Sequence, residues 1–233
     1  MFFKIESLKP VNICCVIMKE LIPAKVISNK QITTYAWLLI FPRNFDFIAG
    51  QVIGITLNKK DEPRLYSIAS GVNQDEVWIL YTVKSDGLLT PQLAKVKPGD
   101  EIYATKPFGN FICKEEKAVW IATGTGIAPF ASMFFSGQFH NKILIQGNRS
   151  KEGLYFYEDF KKQMSGNYIP CCSREPADGC FTGRVTQYLE TLENPDTNIP
   201  YYLCGSAEMV VDVRDLLIKK RVPFQNIQAE IFF

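Results

Sequence analysis

Apolar and polar positions alternate in short runs through the first half of the chain. Ala24–Ser28, Tyr35–Phe41, Gln51–Leu57, Leu65–Ser70, Val77–Val83 and Glu101–Thr105 are rich in β-branched and aromatic residues, the composition of half-buried strands. Turn chemistry separates them at Asn29-Lys30, Pro42-Arg43-Asn44, Ala49-Gly50, Asn58 to Pro63, Gly71 to Asp75 and Pro98-Gly99-Asp100. Short strands at this spacing, with few helical segments between them, predict an antiparallel barrel or sandwich.

The rhythm changes near Lys114-Glu115-Glu116-Lys117. Beyond it, strand patterns over Ala118–Ala122, Lys142–Gln146, Asn167–Cys172, Tyr201–Cys204 and Ile227–Phe232 alternate with helical patterns. The helices are expected over Ile127–Phe135, Gly153–Gln163, Arg184–Thr191 and Ala207–Arg221. Alternating βα units imply a parallel sheet covered on both faces, with ligand sites at the carboxyl ends of its strands. The expected fold is therefore two-domain, β plus α/β. Residues 22–113 form an antiparallel β-barrel and residues 114–233 a parallel α/β sheet that binds nucleotide. Residues 1–21 are an N-terminal appendage of uncertain role, and 1–17 read as an appendage or a misread upstream start.

Composition narrows the function. An apolar fraction of 47% and a charged fraction of 21% allow a sizeable core. A net charge of +2 is too small to argue for a nucleic-acid surface. The seven cysteines include no C-x-x-C pair, and His140 is the one histidine. A disulfide framework, a zinc site and an iron–sulfur cluster are all poorly supported. Free thiols in this number suggest a reducing compartment, hence the cytoplasm. No run of 18 apolar residues suggests a membrane span, and the start does not read as a secretory signal.

The segment from Trp120 to Phe130 reads as a strand, a glycine turn and a helix start. Gly124 and Gly126 would let backbone amides approach a phosphate, with Pro129 suited to the first helical turn. A tight βα turn without a ligand has the same spacing. The second strand runs into Gln146-Gly-Asn-Arg149 with no acidic residue at its end, where a ribose-binding acid is expected for NAD. The third runs into Cys172-Ser173-Arg174-Glu175, and Arg184 follows in Gly183-Arg-Val-Thr186. Serine and arginine at a strand's carboxyl end suit a 2′-phosphate, although ordinary surface arginines give the same spacing. In the first half, Arg64-Leu65-Tyr66-Ser67 places an arginine, an aromatic and a hydroxyl together, which suits an aromatic ligand carrying phosphate or a half-buried edge strand.

Arg64-Leu-Tyr-Ser67 resembles the flavin-binding R-x-Y-S/T motif of the ferredoxin–NADP⁺ reductase family. Further segments resemble that family in the same order: Gly87 to Leu93 with Lys97-Pro-Gly-Asp100, Pro107-Phe-Gly-Asn-Phe111, Gly124 to Pro129, Ser173-Arg174, Gly183-Arg184, Cys204 to Met209 and Glu230-Ile-Phe-Phe233. The resemblance spans roughly residues 22–233. It implies FAD on the barrel, NADP(H) on the sheet, and hydride exchange between them. It also implies single-electron exchange with a separate ferredoxin or flavodoxin. Lys59, Lys60 and Lys106 would then form a basic rim for an acidic carrier.

By the same resemblance, Arg64 pairs with the FAD pyrophosphate and Tyr66 packs on the isoalloxazine, with Leu65 between them. Ser67 hydrogen-bonds near flavin N5. Val83 and Leu88-Leu89-Thr90 contact the ribityl and pyrophosphate portion. Thr125 and Gly126 sit where the two cofactors meet. Ser173, Arg174 and Arg184 hold the 2′-phosphate, and Arg149 is a further cofactor-binding candidate. Cys204 lies against nicotinamide C4, with Gly205 and Ser206 beside it. Glu230 positions or protonates near the flavin. Ser67, Cys204 and Glu230 are thus the catalytic candidates. Two terminal phenylalanines and the short Lys84-Ser-Asp-Gly87 link resemble the bacterial subclass, which implies Phe232 over the flavin and Phe233 near a folded-back adenine. Two alternatives remain: the reductase component of an oxygenase, and a non-catalytic flavin- or nucleotide-binding subunit of a larger complex.

Overall fold

The computed structural model describes residues 20–232, with the backbone alone for Phe232. The expectations for residues 1–19 and for Phe233 lie outside the described residues. The first half contains β1 (Ile22–Lys25), β2 (Ser28–Gln31), β3 (Ala36–Pro42), β4 (Val52–Thr56), β5 (Arg64–Ser67), β6 (Glu76–Thr82) and β7 (Glu101–Ala104). They pair antiparallel in two sheets, ordered β1-β7-β4-β5 and β2-β3-β6. An Ile68–Ile79 bridge and the Ala69 N–H to Trp78 carbonyl bond (2.8 Å) join the end of β5 to β6. On the other side Ile27 N–H donates to the Ile40 carbonyl over 2.8 Å. The sheets thereby close into a barrel, which removes exposed edges. Its interior holds Leu39, Phe41, Ile53, Ile55, Ile68, Ile79 and Tyr81.

Asn29-Lys30 is not a turn, contrary to the expectation; it lies within β2, with Asn29 opposite Leu39. Tertiary partners outweigh the residue's turn preference. The Asn29 amide donates to the carbonyls of Leu93 (2.7 Å) and Val96 (3.1 Å), and its oxygen accepts from the Tyr81 hydroxyl (2.9 Å). This pins the strand to the one-turn helix α1 (Thr90–Leu93).

The second half runs β8 (Ala118–Thr123), α2 (Ala128–Phe135), β9 (Lys142–Asn148), α3 (Tyr157–Met164), β10 (Tyr168–Cys172), β11 (Phe181–Thr182), α4 (Val185–Thr191), β12 (Tyr201–Ser206), α5 (Ala207–Lys219) and β13 (Ile227–Phe232). All six strands are parallel, ordered β11-β10-β9-β8-β12-β13. The chain winds outward from β8 to β11 and then returns to β12. The order therefore reverses between β8 and β12, where such sheets open a crevice. Pro129 lies in the first turn of α2. The helix expected from Gly153 begins instead at Tyr157. A 3₁₀ turn at Lys151–Gly153 and a left-handed Phe156 (φ 61°) precede it. The Asn148 amide holds the Gly153 carbonyl at 2.7 Å, outside the helix. Phe156 turns its ring onto Trp78 (6.5 Å between centroids) and Phe135 (5.6 Å).

One apolar cluster crosses from barrel to sheet, combining Ala36, Ala69, Leu80 and Phe111 with Trp120, Phe130, Phe134 and Tyr202. Phe111 meets Phe130 at 5.6 Å and Tyr202 at 5.5 Å, both edge-to-face. Polar ties flank this contact: Ser132 Oγ donates to the Ser70 carbonyl (2.7 Å), and the Tyr202 hydroxyl to the Ile112 carbonyl (3.2 Å). A shared hydrophobic core of this kind resists the relative motion usual between domains.

Candidate active site

The turn after β8 lies at the strand-order reversal. Gly124 takes a left-handed φ of 56°, which an L side chain adopts only at a cost. Gly126 abuts β12 so closely that a Cβ there would run into the Cys204 carbonyl. Glycine at this position allows the turn to seat against the neighbouring strand.

A cleft of about 430 Å³ opens beside this turn. Ser173, Arg174 and Arg184 all line it, so the sequence-predicted phosphate group comes together, and Arg149 lines it too. Backbone bonds fix the loops that carry them. Ser173 N–H donates to the Asn148 carbonyl (2.9 Å), and Arg174 and Glu175 N–H donate to the Arg149 carbonyl (3.0 and 3.1 Å). Arg184 precedes α4, with its N–H donating to Gln187 Oε1 over 2.7 Å. Its guanidinium lies 3.5 Å from Glu208 Oε1, an exposed pair. Ser206 also lines the cleft and caps α5, its hydroxyl accepting from Met209 N–H at 3.3 Å.

A second constellation joins the two halves. Ser67 Oγ at the end of β5 donates to Glu230 Oε2 on β13 over 3.3 Å. Glu230 is the register partner of Cys204 on β12, and Gly205 pairs with Ile231 and Ser206 with Phe232. The three catalytic candidates are thus brought together. Burial pushes the Cys204 thiol well above its usual range, and the Glu230 charge adds to this. It therefore stays a neutral thiol and not a nucleophilic thiolate. Burial also raises the Glu230 carboxyl, partly offset by the Ser67 hydroxyl.

Arg64 and Leu65 are exposed on β5, while Tyr66 packs partly on the barrel core, 6.4 Å from the Tyr81 ring. Burial lifts the Tyr66 phenol to about 12, against a smaller lowering by Arg64. Val83 and Leu88 are exposed, Leu88 to 77%. Leu89 leans on the barrel core, and Thr90 Oγ1 accepts from Lys84 N–H at 3.0 Å. Thr125 sits half-buried in the 3₁₀ turn Gly124–Ile127. None of these barrel residues lines the arginine cleft. Of the three lysines named for a basic rim, Lys106 is paired with Glu20 (2.6 Å) and Lys59 lies 5.0 Å from the Tyr103 ring centroid.

Thr33, Tyr35 and Glu152 line the same cleft and no local motif marks them; Glu208 also lines it, within the Cys204 to Met209 segment, where the sequence assigned it no role. Among the described residues no helix is long and apolar enough to cross a membrane, and no cluster of metal-ligating side chains occurs.

Residues 120–215 match the model of the oxidoreductase NAD-binding domain. The flavodoxin/ferredoxin–NADP reductase of Escherichia coli (strain K12) is 32% identical over 193 residues, covering 72% of this chain and 77% of that one. The chain belongs to the flavodoxin/ferredoxin–NADP reductase family. Other similar proteins widen the range of roles within this set of oxidoreductases. The toluate 1,2-dioxygenase electron transfer component of Pseudomonas putida is 29% identical over 198 residues, covering 80% of this chain and 59% of that protein. In fold, the chain matches a ferredoxin–NADP⁺ reductase from Neisseria gonorrhoeae, solved with bound FAD and NADP. The TM-score is 0.81 at 22% identity, over 91% of this chain and 99% of that one.

Proposed function

We propose that this enzyme passes a hydride between NADP(H) and FAD, and exchanges single electrons with a ferredoxin or flavodoxin. In this reading residues 22–113 hold FAD and residues 114–233 hold NADP(H). The observation that carries it is the Ser67–Glu230 contact, which sets barrel strand β5 against β13, the strand paired with β12 and its Cys204. The barrel residues suit a flavin: Leu65, Val83 and Leu88 offer exposed apolar surface, and Arg64 supplies an exposed cation. Such exposed apolar groups commonly mark a binding surface.

Bound FAD would supply a hydride acceptor at flavin N5 and a means of releasing electrons one at a time. The protein's part is positioning and exclusion of water. Arg64 would neutralise the pyrophosphate, Tyr66 would pack on the flavin ring, and Val83, Leu88, Leu89 and Thr90 would hold the ribityl and pyrophosphate portion. Ser67 would lie near N5 with its proton given to Glu230, which holds the hydroxyl in place and leaves its oxygen free to accept a hydrogen bond there. Thr125 and Gly126 separate the two cofactors. Cys204, kept as a neutral thiol, gives nicotinamide an uncharged contact surface, with Gly205 and Ser206 beside it. Arg149, Ser173, Arg174 and Arg184 select the 2′-phosphate. The described cysteines are free thiols, which suits the cytoplasm.

Purified protein should carry FAD and reduce ferricyanide, a one-electron acceptor, with NADPH in strong preference to NADH. Protein without flavin would favour a nucleotide-binding subunit. The similarity to an oxygenase electron-transfer component favours a second reading, an oxygenase reductase. NADH preference would select it.

A further inference from the structure

One wall of the arginine cleft comes from the barrel. Thr33 and Tyr35, on the turn between β2 and β3, line the cleft together with Arg149, Arg174 and Arg184. Tyr35 is 75% exposed, a large aromatic side chain left open beside a cationic cleft. Tyr155, the other aromatic of the lining, is buried.

The turn is braced on both sides. Within it, Ile32 N–H donates to the Ala36 carbonyl (2.9 Å), Ala36 N–H to Thr33 Oγ1 (3.1 Å) and Gln31 Nε2 to the Thr34 carbonyl (3.0 Å). Toward the sheet domain, Glu152 Oε1 accepts from both the Thr34 N–H (2.7 Å) and the Thr34 hydroxyl (3.0 Å). Glu152 follows Arg149 by three residues on the link between β9 and α3. This latch ties the turn that carries Tyr35 to the link that carries Arg149, so both line one cleft. A preorganised aromatic face loses little freedom when a flat ligand lands on it. Arginine and serine serve the phosphate there, and the adjoining purine still needs a partner for its π-face.

We propose that Tyr35 stacks on the adenine of bound NADP(H), so that the adenosine subsite is completed by the barrel and not by the sheet domain alone. The inference rests on the assignment of the arginines to the 2′-phosphate. It differs from that assignment in what it recognises: the base, present in NADP(H) and NAD(H) alike.

The test is equilibrium binding of 2′-phospho-AMP, NADP⁺ and NAD⁺ to the FAD-loaded full chain by calorimetry, in wild type, Y35A, Y35W and R174A. Flavin content of each variant reports folding. Base–aromatic stacking predicts that Y35A weakens all three ligands by a common factor, roughly 5- to 100-fold. Y35W should restore binding, and R174A should weaken only the two phosphate-bearing ligands. Unchanged binding in Y35A alongside the expected R174A loss would overturn the stacking and leave the phosphate assignment standing. A Y35A loss confined to 2′-phospho-AMP and NADP⁺ would also overturn it. Equal R174A losses for NADP⁺ and NAD⁺ would overturn the phosphate assignment and the inference with it.

Discussion

Arg174→Ala tests the cofactor assignment with little risk to the fold. The residue is exposed on the loop after β10, and its structural contribution is a backbone bond, Arg174 N–H to the Arg149 carbonyl at 3.0 Å, which alanine keeps. A charge-assisted hydrogen bond to phosphate contributes about 1.5–3 kcal/mol. The open position and salt screening place this one near the lower bound, about 1.5 kcal/mol, or roughly 10-fold. Arg184→Ala should cost less, because Glu208 at 3.5 Å already occupies part of that guanidinium. The assay is kcat/KM for NADPH and NADH at fixed ionic strength, with ferricyanide as acceptor. The expected result for Arg174→Ala is a drop of about 10-fold with NADPH and less than about 2-fold with NADH. Equal losses would refute the assignment, because NADH carries no 2′-phosphate for Arg174 to meet.

Ser67→Ala removes the donor to Glu230. At about 0.5–1.5 kcal/mol for one hydrogen bond, flavin reduction in a stopped-flow single turnover should slow roughly 2- to 10-fold. An unchanged rate would deny Ser67 a part in positioning. Gly126→Ala drives a methyl into the Cys204 carbonyl. Overpacking of about 1–3 kcal/mol should lower the thermal midpoint by several degrees and weaken NADP⁺ binding. Glu230→Gln tests the raised carboxyl. Its proton is held more tightly folded than unfolded, so native stability falls as pH rises from the unfolded value near 4.3 through the higher folded one. The glutamine variant should match wild type in thermal midpoint near pH 4 and exceed it above pH 7. A constant difference across that range would show that burial does not perturb Glu230.

What the sequence made legible is local. The glycine turn after β8, Cys204-Gly205-Ser206 and Ser173-Arg174 are contiguous, and each carries its backbone demand in its own residue types. The alternation beyond Ala118 likewise follows from short apolar runs and helical periodicity. What it concealed depends on contacts distant in sequence. Asn29 reads as a turn residue until Leu93, Val96 and Tyr81 supply its hydrogen bonds. Gly153 reads as helical until Asn148 captures its carbonyl. Thr34 and Glu152 are 118 positions apart and meet only because the domains dock through Phe111, Phe130 and Tyr202. Tyr35 owes its place in the cleft to that docking, and no spacing rule within either half reports it.

Direct hydride exchange between NADP(H) and a barrel-held flavin is open to a single titration: NADPH added anaerobically to the FAD-loaded protein, followed by flavin absorbance. Stoichiometric bleaching by NADPH, with much weaker or slower bleaching by NADH, is the predicted result. A yellow protein that NADPH leaves unbleached would rule out direct hydride exchange.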